Sequence, residues 1–187
     1  MNGPWVRAAK AALIFVFALF AYAVFTPAHV GNPQQITRMA LALSLSEGHV
    51  DIDRFADHTV DIATFEGHHY ADKPPGQSIL AMPSVWATKA VVGAADPMRP
   101  GIFGLYLTAA ILSTNGLFGA FASALLYLLA RRLGAGDRGA VFAAMILAIG
   151  TPFLGWSTVL FGHVLSGSLL LVALALACWP RAAPSTA

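Results

Sequence analysis

The stretch from residue 65 to residue 83, FEGHHYADKPPGQSILAMP, carries the densest polar chemistry of the chain directly before an apolar run. The Pro-Pro-Gly sequence at 74–76 disfavours the α conformation just before it and is typical of a turn. A new helix therefore begins after this turn. Lys73 lies on the stiff segment ahead of that helix, where free N–H groups and the helix dipole favour an anion. The pattern predicts that Lys73 contacts a phosphate.

The composition of the chain indicates an integral membrane protein. Of its 187 residues, 57% are hydrophobic and 11% are charged, and the mean hydropathy is +0.68, whereas about a quarter of the residues of a soluble domain are charged. The formal net charge is only +2 and the sequence has no basic run, so nucleic acid is not expected as a partner. The single cysteine, Cys178, excludes a disulfide framework within the chain. We therefore predict an all-α integral membrane protein.

The first membrane helix is predicted at residues 8–30. Arg7 and Lys10 precede an uninterrupted apolar run in this range, and about 20 residues are enough to cross a hydrocarbon core about 30 Å thick. The basic end of such a helix stays in the cytoplasm. A cleaved signal peptide is the alternative interpretation of this run, and either interpretation exports the chain that follows.

Three more spans complete the predicted topology of a multi-pass protein with both termini in the cytoplasm. Arg131, Arg132 and Arg138 mark a cytoplasmic loop, because positively charged loops are retained on that side. The spans are predicted at residues 102–130, 139–157 and 162–179, and a cytoplasmic tail is predicted at 180–187.

The exported first loop, residues 31–101, contains all but one of the acidic residues. Apolar residues recur at helical spacing in 34–46, which predicts an amphipathic helix on the membrane surface. The topology leaves no crossing for 77–95, so we expect a half-buried interfacial helix there. Between these helices, 50–54 and 59–65 are predicted to be extended and to meet near the glycine that precedes the two histidines.

The only cofactor that the sequence suggests is a divalent metal ion. His68 or His69, together with Asp72 and a loop aspartate, offers nitrogen and oxygen ligands that suit Mg, Mn or Zn. Adjacent histidines on an extended segment point to opposite faces, so we do not expect both of them on one ion.

Six short motifs follow one another along the chain: Thr37-Arg38, Glu47-Gly48, Asp51-Ile52-Asp53, Gly67-His68-His69-Tyr70-Ala71-Asp72-Lys73-Pro74-Pro75-Gly76, Gly150-Thr151-Pro152 and Leu160-Phe161-Gly162-His163. Together they resemble the N-terminal part of the membrane glycosyltransferases of the GT-C fold. The likeness is to the bacterial branch related to lipid A aminoarabinose transferases and protein O-mannosyltransferases. The string Tyr-Ala-Asp-Lys-Pro-Pro-Gly is its most specific part.

The resemblance implies transfer of a sugar from a polyprenyl-phosphate carrier to a cell-envelope acceptor at the outer face of the bacterial inner membrane. Lys73 would hold the phosphate of the carrier as the leaving group. Asp53 or Asp51 would be the carboxylate that takes the proton of the acceptor hydroxyl. Each aspartate has the alternative of being part of an ordinary solvated face.

Three further residues are predicted to bind substrate, each with a structural alternative. Arg38 either contacts the carrier phosphate or extends toward lipid headgroups. Tyr70 either contacts substrate or belongs to the interfacial aromatic belt. His163 lies on the side of the exported loop, where it either contacts substrate or caps a helix.

Two departures from the family pattern keep a second function open. The relatives have an acidic residue just ahead of the first-loop helix, where this chain has Asn32-Pro33-Gln34-Gln35, and a neutral amide is not a general base. They also continue through many more membrane helices. We therefore expect a fragment, with a second chain supplying further helices as one partner. The alternative function is a non-catalytic membrane assembly subunit or an inactive remnant of such an enzyme.

Overall fold

The computed structural model describes residues 3–27 and 32–178, and the chain is mostly helical, at 73%. Its α-helices are α1 (Pro4–Phe25), α2 (Pro33–Ser46), α3 (Gly76–Val92), α4 (Pro100–Ile111), α5 (Leu117–Arg132), α6 (Asp137–Ile149), α7 (Phe153–Ser157) and α8 (His163–Ala177). A 3₁₀ helix at Asp53–His58 and a two-stranded sheet lie between α2 and α3. The sheet is the one correction to the all-α prediction.

Two helices are long and apolar enough to cross a membrane, namely Pro4–Phe25 and Pro100–Arg132. The second consists of α4, a π-helical turn at Leu112–Gly116 and α5, which follow one another without a break. α8 is apolar but has only 15 residues, whereas a full crossing takes about 20. Two of the four predicted spans therefore correspond to helices of sufficient length. Predicted positions 28–30, 179 and 180–187 lie outside the described residues.

The predicted span at 139–157 is divided into α6 and α7. α6 ends at Ile149, and α7 begins at Phe153, directly after Pro152. Proline has no N–H to continue the hydrogen bonds of a helix. Gly150 also packs tightly against the preceding turn, since a Cβ on it would lie 3.1 Å from the carbonyl oxygen of Ile146. The chain therefore breaks at Gly-Thr-Pro, between two separate helices.

The predicted helices at 34–46 and 77–95 correspond to α2 and α3. Asn32 caps α2 by accepting a hydrogen bond from the N–H of Gln34 at 2.9 Å. α2 differs from the predicted surface helix, because α3 and the second strand pack on it and bury nearly every residue from Gln35 to Ser44. The apolar side chains of α2, α3 and α4 form the largest hydrophobic core of the described part.

A β-hairpin follows the 3₁₀ helix. Strand β1 (Ile62–Phe65) pairs antiparallel with β2 (His68–Ala71). Glu66 and Gly67 form the turn, both with positive φ, at 51° and 83°, as hairpins with a two-residue loop prefer. The predicted extended piece at 59–65 contains β1, but β1 pairs with the strand after the glycine and not with 50–54. The predicted extended piece at 50–54 is wrong, because the 3₁₀ helix begins within it.

Candidate functional site

The side chain of Lys73 lies between two carboxylates at the open end of the hairpin. Its Nζ donates hydrogen bonds to Asp72 Oδ2 at 2.7 Å and to Asp61 Oδ1 at 3.1 Å. The bonds to Asp72 and Asp61 raise the pKa of Lys73. In return, the hydrogen bond from Lys73 lowers the pKa of Asp72. Lys73 is therefore a fixed cation at the point where the prolines end the hairpin.

Arg38 is the second cation of this region. Its residue is only 8% exposed, and its Nε has no hydrogen-bond partner among the described residues. Burial lowers the pKa of the guanidinium, while the charges of Asp61 and Asp72 oppose that shift. Arg38 is thus packed largely inside the protein. We refer to Arg38, Asp61, Asp72 and Lys73 as the Lys73 cluster.

Asp61 is the member of the Lys73 cluster that sequence reasoning did not single out. Its carbonyl oxygen accepts a hydrogen bond from Thr37 Oγ1 at 2.8 Å, which ties it to α2. Its Oδ2 is buried and has no partner among the described residues. The register of the hairpin shows why Asp61 belongs to this cluster. Ile62 pairs with Ala71, so the residues just outside that pair, Asp61 and Asp72, must lie side by side.

Asp53 lies in a separate and exposed group. Its carboxylate accepts hydrogen bonds from the backbone N–H of His69 at 2.6 Å and lies 2.6 Å from His68 Nδ1 and 3.1 Å from His69 Nδ1. The bonds from His68 and His69 lower the pKa of Asp53 to about 2, and the bond to Asp53 raises the pKa of His68. A carboxylate with so low a pKa is a poor general base at neutral pH.

Both histidines contact the carboxylate of Asp53, although adjacent residues of a strand point to opposite faces. That they do not share one metal ion stays a prediction. The N–H of Ile52 donates to the carbonyl oxygen of His69 at 2.8 Å. This bond holds the segment with Asp53 along the outer edge of β2, where rings from both faces of the strand reach its carboxylate. Side chains do alternate between the faces of β2, but the rings of His68 and His69 can still reach one carboxylate that lies along the edge of the strand.

Asp51 lies on the wall of a polar cavity of about 360 Å³ next to the Asp53 group. Glu47, His49 and Arg54 also line this cavity. Within the described residues, no hydrogen bond or ion pair joins Asp51 or Asp53 to the Lys73 cluster. The predicted base and the predicted phosphate ligand therefore lie in different groups.

The predicted metal ligands His69 and Asp72 have different partners. His69 contacts Asp53, whereas Asp72 contacts Lys73. No group of three or more His, Cys, Asp or Glu side chains in residues 3–27 and 32–178 is arranged to hold a metal ion. The described side chains thus offer no ligand set, and metal dependence stays a prediction.

Tyr70 and His163 lie outside the Lys73 cluster. Tyr70 is half-buried on β2 opposite Ala63. His163 begins α8, and its ring centroid lies 4.3 Å from that of Trp156 and 6.3 Å from that of Phe161. The structure therefore gives His163 an aromatic setting that the sequence did not indicate.

Asn115, in the π-helical turn, joins the α7–α8 segment to the first turn of α3. Its Nδ2 donates to the carbonyl oxygens of Trp156, Val159 and Phe161 at 3.1, 2.5 and 2.8 Å. Its Oδ1 accepts from Gln77 Nε2 at 2.7 Å. Asn115 is fully buried, and the π turn provides the change of register that aims it at this junction.

Gln35 makes a second link between α2 and the α7–α8 segment. Its Oε1 accepts a hydrogen bond from the N–H of Leu160 at 2.9 Å, and the residue is buried. Gln35 is thus held in place by a structural hydrogen bond between the start of α2 and the segment before α8.

The chain matches no protein-family model, and neither a curated protein nor a solved structure matches it. Its function therefore has to be inferred from its own side chains, their contacts and the motifs they form.

Proposed function

We propose that the chain binds the phosphate of a polyprenyl-linked sugar at the outer face of a bacterial inner membrane and takes part in transfer of the sugar to a cell-envelope acceptor. The observation that carries this proposal is the buried guanidinium of Arg38, whose Nε lacks a partner among the described residues, close to Lys73 and the same carboxylates. A buried cationic donor without an acceptor is costly. A phosphate supplies the missing acceptor.

Both cations of the Lys73 cluster suit a lipid-borne phosphate. Asp61 and Asp72 neutralise the cluster while the site is empty, which limits the cost of holding two cations close together. A phosphate replaces Asp72 as the partner of Lys73, and Lys73 then stabilises the charge that develops on the leaving group. Among the carboxylates of the loop, Asp61 is the one that we propose as the general base, because it lies beside Lys73 and its Oδ2 has no hydrogen-bond partner among the described residues.

Four crossings of the bilayer agree with the distribution of apolar surface. Helices α1, α5, α6 and α8 each have large apolar side chains that are exposed, as expected of surfaces facing lipid. These side chains are Leu13, Val16, Phe17, Phe20 and Val24 on α1, Leu117 and Phe121 on α5, Phe142, Ile146 and Ile149 on α6, and Leu169, Leu170, Leu174 and Leu176 on α8. We propose that α6 and α7 together make one crossing and α8 the return.

A non-catalytic assembly subunit is the second candidate function. It is favoured by Gln35, which has a structural hydrogen bond where the relatives have a carboxylate, and by Asp53, whose low pKa makes it a poor base. Such a subunit still binds the carrier but leaves the chemistry to a partner that supplies further membrane helices.

The test compares Lys73→Ala with Lys89→Ala in lipid nanodiscs that contain undecaprenyl phosphate. Lys89 is a matched control, because it forms an exposed ion pair with Glu47 at 2.9 Å on the same loop. Loss of a charge-assisted bond predicts about tenfold weaker carrier binding for Lys73→Ala and no change for Lys89→Ala. Native mass spectrometry measures the bound carrier, and equal binding by both variants contradicts the proposal.

Transfer of a radiolabelled sugar from polyprenyl-phosphate donors separates the two functions. An enzyme transfers sugar as the purified chain and loses transfer in Asp61→Asn. A subunit binds the carrier in a Lys73-dependent manner but shows no transfer until the partner is added.

A further inference from the structure

Three aromatic rings form a continuous surface at the junction of α7 and α8. The ring centroids of Trp156 and His163 lie 4.3 Å apart, and those of Trp156 and Phe161 lie 5.4 Å apart with the two rings steeply inclined, at 73°. Trp156 is 38% exposed, His163 is exposed and Phe161 is half-buried. We refer to these three residues as the aromatic platform.

Hydrogen bonds from a buried side chain fix the backbone of the aromatic platform. Asn115 donates to the carbonyl oxygens of both Trp156 and Phe161, so the backbone of two of the three residues is fixed by one buried amide. A residue of an ordinary interfacial aromatic belt needs no such support. The rigidity favours a surface that recognises a ligand of defined shape.

The same junction places the aromatic platform beside the first turn of α3, which Lys73 precedes. Gln77 Nε2 donates to the carbonyl oxygen of Phe161 at 3.1 Å as well as to Asn115. Gln77 comes four residues after Lys73 in the chain. The aromatic platform is thus bonded to the first turn of the helix that begins just after Lys73.

The side-chain oxygen of Gln77 is a buried hydrogen-bond acceptor without a donor, and it lies close to the aromatic platform. Gln77 is 3% exposed, and its Oε1 has no hydrogen-bond partner among the described residues. It lies 4.0 Å from the position that a Cβ on Gly162 would occupy. Gly162 lies between Phe161 and His163 in the chain, so the acceptor is close to the backbone of the aromatic platform.

We propose that the aromatic platform is a carbohydrate subsite that stacks against the pyranose ring of the sugar carried by the polyprenyl phosphate. The C–H face of a pyranose is apolar and weakly positive, and it packs against the negative face of an aromatic ring. The His163 ring, the Gln77 Oε1 and the indole N–H of Trp156, which donates to no described residue, meet the hydroxyl groups. This inference rests on the proposed function, since it assigns the sugar end of the same ligand.

The test measures binding of two probes, undecaprenyl phosphate alone and undecaprenyl phosphate bearing glucose, mannose or aminoarabinose. Trp156→Leu is compared with Trp86→Leu, whose indole donates instead to the carbonyl oxygen of Ser46 at 3.4 Å. Loss of one stacked ring predicts about tenfold weaker binding of at least one sugar-bearing carrier by Trp156→Leu, with binding of the bare carrier unchanged. Trp86→Leu changes neither, and His163→Ala repeats the sugar-selective loss.

Each other outcome is decisive. Unchanged binding of every sugar-bearing carrier by Trp156→Leu overturns the subsite, and so does an equal loss for bare and sugar-bearing carriers. If the unmodified protein binds no carrier at all, the proposed function fails. In that case saturation-transfer NMR with free methyl glycosides decides the subsite separately: a signal lost in Trp156→Leu supports it, and the absence of a signal overturns it.

Discussion

At the scale of single residues, the chemistry of the loop between α1 and α4 depends on which carboxylate meets which cation. The position of Lys73 just ahead of a helix was predictable, because two prolines and a helix start follow it directly in the sequence. Asp61 becomes predictable once the hairpin register is known. Arg38 was predicted as a ligand, but its burial was not, since the helical spacing of α2 suggested one exposed face. The periodicity of a helix does not reveal that the other face is also covered.

The Asp53–His68 pair gives a prediction of pH dependence. The pKa of Asp53 falls from 3.8 to about 2, so its contribution to stability is present above pH 3.8 and is lost as the pH falls through about 2. The pKa of His68 is raised above 6.5, so its contribution is present below pH 6.5 and is lost as the pH rises through the raised value. The Asp53–His68 pair therefore contributes most to stability between about pH 3.8 and pH 6.5.

NMR titration of the His68 ring checks this pair. In Asp53→Asn, the bonded carboxylate is gone, and the pKa of His68 is expected to fall toward 6.5. Asp57→Asn, on the same 3₁₀ helix, is the matched control and leaves that pKa unchanged. A His68 pKa that is the same in Asp53→Asn and in the unmodified protein would mean that the two side chains do not interact in solution.

At the scale of secondary-structure elements, the sequence located most helices but not the way they contact one another. The apolar runs, the Gly-Thr-Pro break and the hairpin turn all leave local signals. The π-helical turn does not, because its one extra residue per turn lies inside a run that reads as continuous helix. Asn115 therefore looked like one polar residue in an apolar span, and its role at the α3 junction came only from the fold.

Close packing of α1, α5 and α7 predicts that Gly119 is intolerant of larger side chains. A Cβ at Gly119 would lie 2.6 Å from Ser157 Oγ and 3.0 Å from a ring carbon of Tyr22, which is fully buried. We expect Gly119→Val to cost about 2 kcal/mol through overpacking. Gly139→Val is the matched control, since no atom lies within 4 Å of a Cβ there.

Thermal unfolding in detergent, followed by circular dichroism, measures both glycine variants. Gly119→Val should unfold at a clearly lower temperature than Gly139→Val. Equal unfolding temperatures would show that α1 and α7 do not approach α5 as closely as described.

At the scale of the whole molecule, charged residues divide the protein into two ends. Lys10 forms an ion pair with Asp137, which also accepts a hydrogen bond from the hydroxyl of Tyr127 at 3.0 Å. Arg131 donates to the carbonyl oxygen of Ala135 at 2.8 Å in the same region. This basic end contains the loop that the sequence assigns to the cytoplasm, and the Lys73 cluster belongs to the loop assigned to the other side.

Labelling of single cysteines tests this orientation, in a background in which Cys178 is replaced by serine. Thr64→Cys on the hairpin and Gly136→Cys before α6 both lie at exposed positions. A membrane-impermeant maleimide applied to intact spheroplasts should label Thr64→Cys at once and Gly136→Cys only after the membrane is permeabilised. The reverse pattern would place Lys73 in the cytosol, where a carrier-bound sugar at the outer face is out of its reach.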